Sequence, residues 1–149
     1  GFEVGAEQRI SDKWNINASF DWYTNEIDAA GGTTLYPRPL SYSFPGQSMN
    51  TWNAKLNNNF NLSPSMSCQL AAVYFAPDLI PQGIVKQRFS LDAGMKKKIC
   101  KGKADLTVSA TDLLNTSSIR REITTQLFRL SAYNYAETQI ITVGVAYKF

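Results

Sequence analysis

The residue types that carry most protein chemistry are scarce in this chain, and those present are badly spaced for it. Among 149 residues there is no histidine, so the commonest general base and metal ligand is missing. Serines have no histidine to activate them, and the Asp and Glu residues are scattered rather than paired. Two cysteines, Cys68 and Cys100, have no further Cys or His beside them, too few ligands for zinc; they are two thiols or one disulfide. The expectation is a protein that is not an enzyme and holds no metal or cofactor. The remaining candidates are aromatic and cationic. "AAGGTTLYPRPLSYSFPGQ" combines Tyr36, Arg38, Tyr42 and Phe44, and a later stretch carries Arg120, Arg121, Arg129, Tyr133 and Tyr135. Aromatic rings with arginines in long loops suit capture of sugars, peptides, chelates or acidic groups, against the plainer readings that the first set packs its loop and the second belongs to a solvated extension of the sheet. Lys96, Lys97, Lys98, Lys101 and Lys103 surround one short turn and read as a solvated rim. A net charge of +3 is too mild and dispersed to imply nucleic acid.

The elements that must position these groups are strands. Trp14, Ile16, Ala18, Phe20 and Trp22 alternate with Asn15, Asn17, Ser19 and Asp21, the period-two pattern of a strand with one apolar and one polar face. Trp52, Ala54, Leu56, Phe60 and Leu62 repeat it against Asn53, Lys55, Asn57, Asn59 and Asn61, with Asn58 as the exception. Phe89 to Met95, Leu106 to Ala110 and Ile141 to Phe149 alternate likewise, and Phe2 to Ile10 and Met66 to Ala76 complete about seven strands. Short turns fall at 11 to 13, 63 to 65 and 100 to 103, longer connections at 28 to 47, 77 to 86 and 115 to 137. An up-and-down antiparallel meander with short turns at one end and long loops at the other follows. No apolar run approaches the roughly 18 residues of a membrane helix; the longest is "LAAVYFA", Leu70 to Ala76.

Strands of about ten residues, alternating and with unequal ends, are the pattern of an outer-membrane barrel. A soluble β-sandwich or lipocalin-like barrel alternates too, so alternation alone is neutral. The heights of the aromatics are not. Trp14 and Trp22 bracket one apolar face, and Trp52 and Phe60 bracket the next in the opposite direction. Eight residues between them climb roughly 19 Å when tilted, near the ~25 Å apolar band between two aromatic girdles. Tyr74 and Phe89 fall at the long-loop end, Tyr147 and Phe149 at the short-turn end.

From about Lys86 onward, "KQRFSLDAGMKKKICKGKADLTVSATDLLNT", a basic aromatic loop and "TQIITVGVAYKF" resemble the C-terminal end of TonB-dependent outer-membrane receptors, and more narrowly the outer-membrane β-barrel family abundant in Bacteroidetes. The matching parts are a hairpin with a Lys-rich short turn, "DLLN" at Asp112 to Asn115 where a strand enters a long loop, and a closing strand ending in Phe149. The resemblance implies a barrel of about twenty-two strands in the bacterial outer membrane, filled by an N-terminal plug and importing an unidentified nutrient with energy drawn through TonB. It further implies that the last strand, Ile141, Val143, Val145, Tyr147 and Phe149, is the signal read by the barrel-assembly machinery. TonB would act only through a plug that these residues do not contain.

Residues 1–149 then form one piece, a C-terminal barrel segment without a second domain. An odd strand number supports this, since a closed barrel of this kind has an even count with both ends on the periplasmic side. The first residues, "GFEVGAEQRI", already alternate and show no signal peptide. Outer-membrane lipid and lipopolysaccharide are the expected surroundings, and the isolated piece is expected to self-associate through its open strand edges. Cys68 and Cys100 fall near the short-turn ends of strands expected to be neighbours, where a disulfide is geometrically conceivable. The competing expectations are a soluble all-β binding or adhesion module and a complete small outer-membrane barrel.

Overall fold

The computed structural model describes residues 1–125 and 128–148. Its main body is one antiparallel sheet of seven strands. In chain order the strands are β1 (Phe2–Ser11), β2 (Trp14–Ile27), β3 (Ala30–Thr34), β4 (Leu40–Phe44), β5 (Gln47–Ser63), β6 (Met66–Phe75) and β7 (Asp78–Ile80). They continue as β8 (Gly83–Val85), β9 (Arg88–Ile99), β10 (Ala104–Thr111), β11 (Ile119–Thr124), β12 (Arg129–Asn134) and β13 (Ile140–Tyr147). The large sheet has the order β1-β2-β5-β6-β9-β10-β13, in which every neighbour follows its predecessor once the loop strands are set aside. This is the all-β up-and-down meander expected from the alternation. No helix among the described residues is long and apolar enough to cross a membrane, a test that bears on helices alone.

Register turns the alternation of single strands into a property of the whole sheet. Ala6 faces Ala18, Ala18 faces Leu56, Leu56 faces Ala72 and Ala72 faces Leu91. Two residues along, Val4, Phe20, Ala54, Tyr74 and Phe89 form the adjacent row. Directly opposed residues share a face, and a slip of one would reverse every side chain, so these pairings collect the apolar side chains of all seven strands on one side. Among the described residues none covers that side. Among the described residues the buried apolar ones are Ala76, Leu79 and Ala104 alone, while Ile141, Val143 and Val145 are 72%, 64% and 66% exposed. A soluble β-sandwich buries its apolar face under a second sheet; this sheet has no such layer.

Local turn chemistry closes the short end. At the first hairpin Arg9 pairs with Asp12 at 2.7 Å, and the register shifts between Arg9 and Ser11. At the third, Cys100, Lys101 and Gly102 have φ of 52°, 57° and 89°, a left-handed corner that ends in the residue best able to adopt it.

The long connections carry strands of their own, beyond the seven expected. β3 and β4 form a separate hairpin within 28 to 47, and β12-β11-β8-β7 form a four-stranded sheet drawn from the other two connections. These segments alternate too briefly to register as strands alone; they pair as local hairpins, and two of those hairpins join across a long separation where Glu122 meets Ile84. The choice left open for the cysteines, two thiols or one disulfide, falls to two thiols: both are free. The register sets Cys68 opposite Met95, with Lys96 to Ile99 still intervening before Cys100, so the two side chains meet different neighbours.

Candidate functional site

The uncovered apolar face is ordered by side-chain size. Toward the long-loop end, aromatics run continuously across the strands. Phe2 stacks on Trp22 with centroids 5.6 Å apart, Phe20 meets Trp52 at 5.7 Å, and Trp52 meets Tyr74 at 4.7 Å. Tyr74 is paired with Phe89. Toward the short-turn end Trp14 stacks on Phe60 at 5.7 Å, but their row continues through Cys68, Met95 and Val108. The expected aromatic residues therefore lie at two heights, one level continuous and the other sparse. Between the levels lie small and aliphatic residues, and a shallow trough of about 400 Å³ runs over Ala6, Ala18, Ala54 and Ala72. Asn58, the polar exception, accepts a hydrogen bond from the Trp14 indole N–H at 3.2 Å, so its carbonyl is not left bare.

On β13, Ile141, Val143 and Val145 continue the apolar rows through Ala110, Val108 and Leu106, and Tyr147 sits opposite Ala104 at the short-turn end. Phe149, the last residue of the expected assembly signal, lies outside the described residues. The opposite face carries Asn53, Lys55, Asn57, Asn59 and Asn61 of β5 beside Asp21, Ser19, Asn17 and Asn15 of β2, a wall of carboxamides and hydroxyls.

At the long-loop end two devices gather the chemistry. The first is Asp112, fully buried and held at φ 46°. Its carboxylate accepts hydrogen bonds from the backbone N–H of Thr116 and Ser117, each at 3.0 Å, and from the Thr138 hydroxyl at 2.6 Å. It therefore ties the beginning of the last long connection to its end. Burial pushes this carboxyl up, but the donors from Thr138, Thr116 and Ser117 outweigh it and hold it below the ordinary carboxylate range. Neighbouring bonds reinforce the tie: the Asp112 N–H donates to Asp92 at 2.8 Å, Gln139 donates to the Leu113 carbonyl at 2.9 Å, and the Tyr135 hydroxyl donates to Asn115 at 3.2 Å. "DLLN" is thus a knot in the backbone, made by residues far apart in sequence.

The second device is a cleft of about 390 Å³ between the polar face of the main sheet and the four-stranded loop sheet. Tyr23, Asn53, Phe75 and Arg88 form one wall; Asp78, Val85, Ile119 and Arg121 contribute to the other. Asp78 pins the sheets together, accepting from the Tyr23 hydroxyl and the Asn25 amide, each at 2.9 Å. Lys86 pairs with Glu122 at 2.9 Å and Arg129 approaches the same carboxylate at 3.7 Å. The Lys86 hydrogen bond is the main reason the Glu122 carboxyl is lowered, with the charges of Lys86 and Arg129 adding to it against partial burial.

Of the loop residues expected to contact a ligand, Arg121 reaches this cleft, while Arg120 stacks over Tyr133 at 5.0 Å. Tyr42 packs on Phe44 at 5.8 Å within the β3–β4 hairpin, and Tyr36 is 90% exposed. Tyr42 stays with Phe44 in its hairpin while Arg120 pairs with Tyr133 and Arg121 lines the cleft, so the structure does not bring the two groups together among the described residues. Tyr23, Asn53, Phe75, Asp78 and Arg88 were missed, because as sequence they read as ordinary strand and connection residues. The signal available was Arg88 at the first position of a strand that faces a long connection.

A one-layer sheet with an uncovered apolar face between two aromatic levels is a membrane wall, and the comparison with known proteins agrees. The model of the outer membrane protein beta-barrel family matches residues 1–147. The chain belongs to that family. Family membership places it in the bacterial outer membrane, and the soluble-module reading is set aside by this match and by the missing second layer. No curated protein and no solved structure matches the chain. As a stretch of outer-membrane barrel, its apolar face is turned to lipid and its carboxamide face to the lumen.

Proposed function

We propose that the chain is the C-terminal barrel segment of a TonB-dependent receptor, a transport protein rather than an enzyme, which takes up a nutrient across the outer membrane. The observation that carries this reading is the pair of open edges. Among the described residues β1 pairs only with β2 and β13 only with β10, and lipid does not tolerate unpaired strand edges. More strands are needed to close the wall, which favours a segment of a large barrel over a complete small one. The order of Lys-rich turn, "DLLN" and closing strand within residues 86–149 supports the receptor class.

The reading has separable tests. Cells that depend on the intact protein for a nutrient lose that growth when TonB is removed; growth unchanged without TonB overturns coupled uptake. Deleting Phe149 from the intact protein lowers the amount assembled in the outer membrane, measured by heat-modifiable migration, because the terminal strand is the segment offered to the assembly machinery. Normal assembly without Phe149 removes that role. Residues 1–149 produced alone in detergent form oligomers through β1 and β13; a monodisperse monomer argues against open edges.

A further inference from the structure

We propose that the long-loop cleft binds a small molecule carrying an oxyanion, a carboxylate or a phosphate, between Arg88 and Arg121, with its apolar part against Phe75, Val85 and Ile119. This deepens the uptake reading and rests on it for the claim that the bound molecule is cargo. The cleft has the size of a small-molecule site, and its charges are unequally satisfied. Lys86 has a carboxylate partner in Glu122. Asp78 accepts from Tyr23, Asn25 and its neighbouring Leu79 N–H at 2.8 Å, so the acid of the lining is occupied.

Arg88 and Arg121 have no ion pair among the described residues. The Arg88 guanidinium lies over the Phe75 ring, 4.2 Å from its centroid, a cation–π contact that leaves its charge without a carboxylate partner. Arg121 comes from the opposite wall. Two guanidinium forks on facing walls suit an oxyanion, which accepts paired hydrogen bonds from such forks better than from an ammonium.

The experiment is calorimetric titration of the intact protein in detergent with phenyl phosphate, phthalate and neutral benzamide. Binding of either anion, with benzamide silent, is expected, and the two anions distinguish a phosphate from a carboxylate preference. Arg88→Gln and Arg121→Gln each weaken the anion by about tenfold or more; Arg88→Lys, which keeps the charge and loses the fork, falls between. Lys96→Gln, at the short-turn end, leaves binding unchanged. The proposal is overturned if neither anion binds, if benzamide binds as well, or if both Gln variants bind like the parent. Heat-modifiable migration of each variant reports that the barrel is intact. TonB dependence of growth is scored separately. Its loss with anion binding retained removes the uptake reading alone, and absent anion binding with TonB-dependent growth removes the cleft alone.

Discussion

The two ends of the seven-stranded sheet are built on opposite principles. At the short-turn end each corner is made by a few consecutive residues: Arg9 with Asp12, the hydroxyls of Ser63 and Ser65 at 3.2 Å, and the left-handed Cys100–Gly102 corner. At the long-loop end local bonds are joined by contacts that span long stretches of chain, as from Asp112 to Thr138, Tyr23 to Asp78 and Thr116 to Phe89. A corner made of neighbours costs little loop entropy and needs little energy to hold it. A connection of many residues must be held by strong, buried bonds, and that is where the one fully buried carboxylate among the described residues lies.

The sharpest way to break this comparison is Asp112→Ala. It leaves three donors without their acceptor and is expected to cost about 3 kcal/mol, read as a lower urea midpoint of the intact barrel and as new protease cleavage between β10 and β13. An unchanged midpoint with an uncut loop would mean the long end does not depend on its latch. Asp112→Asn keeps the shape and removes the charge, and its cost is expected to vary with pH. The folded carboxyl sits below its unfolded value, so its contribution is complete above the unfolded pKa and is lost as pH falls through the folded one. The difference between parent and Asp112→Asn therefore shrinks on the acid side of the carboxylate range; a difference that grows there reverses the sign.

At the other end Gly102→Ala places a Cβ at φ 89° and is expected to cost about 1 kcal/mol, with no new cleavage at the long loops. A larger penalty than that of Asp112→Ala would invert the comparison. Glu122→Gln should matter least, with little change in the urea midpoint, since Lys86 and Glu122 are each about a third exposed and Arg129 far more so. Its measurable effect is lower salt sensitivity of the loop sheet.

The same contrast explains what was legible in the sequence. The seven strands of the wall, their shared apolar face and the three short corners follow from residue spacing, because those features are fixed by period and by neighbours. Arg120 and Arg121 look equivalent as sequence, yet one stacks on Tyr133 and the other lines the cleft, because β11 turns successive side chains to opposite faces. The loop sheet and the partners of Asp78 and Asp112 depend on which distant segments meet, and alternation over three or six residues cannot encode that. The free cysteines are a register effect of the same kind.

Strand length adds a consequence for the shape of the mouth. β5 has 17 residues and, tilted, rises roughly 40 Å, whereas β10 and β13 have 8 each and rise roughly 19 Å. The wall is a ramp, high beside β2 and β5 and low beside β10 and β13, where the knotted Asp112 segment turns inward toward β9 instead of continuing upward. On the high flank the main strands themselves form the rim, and on the low flank the rim is made by the loop sheet that β11 and β12 build above the ends of β10 and β13.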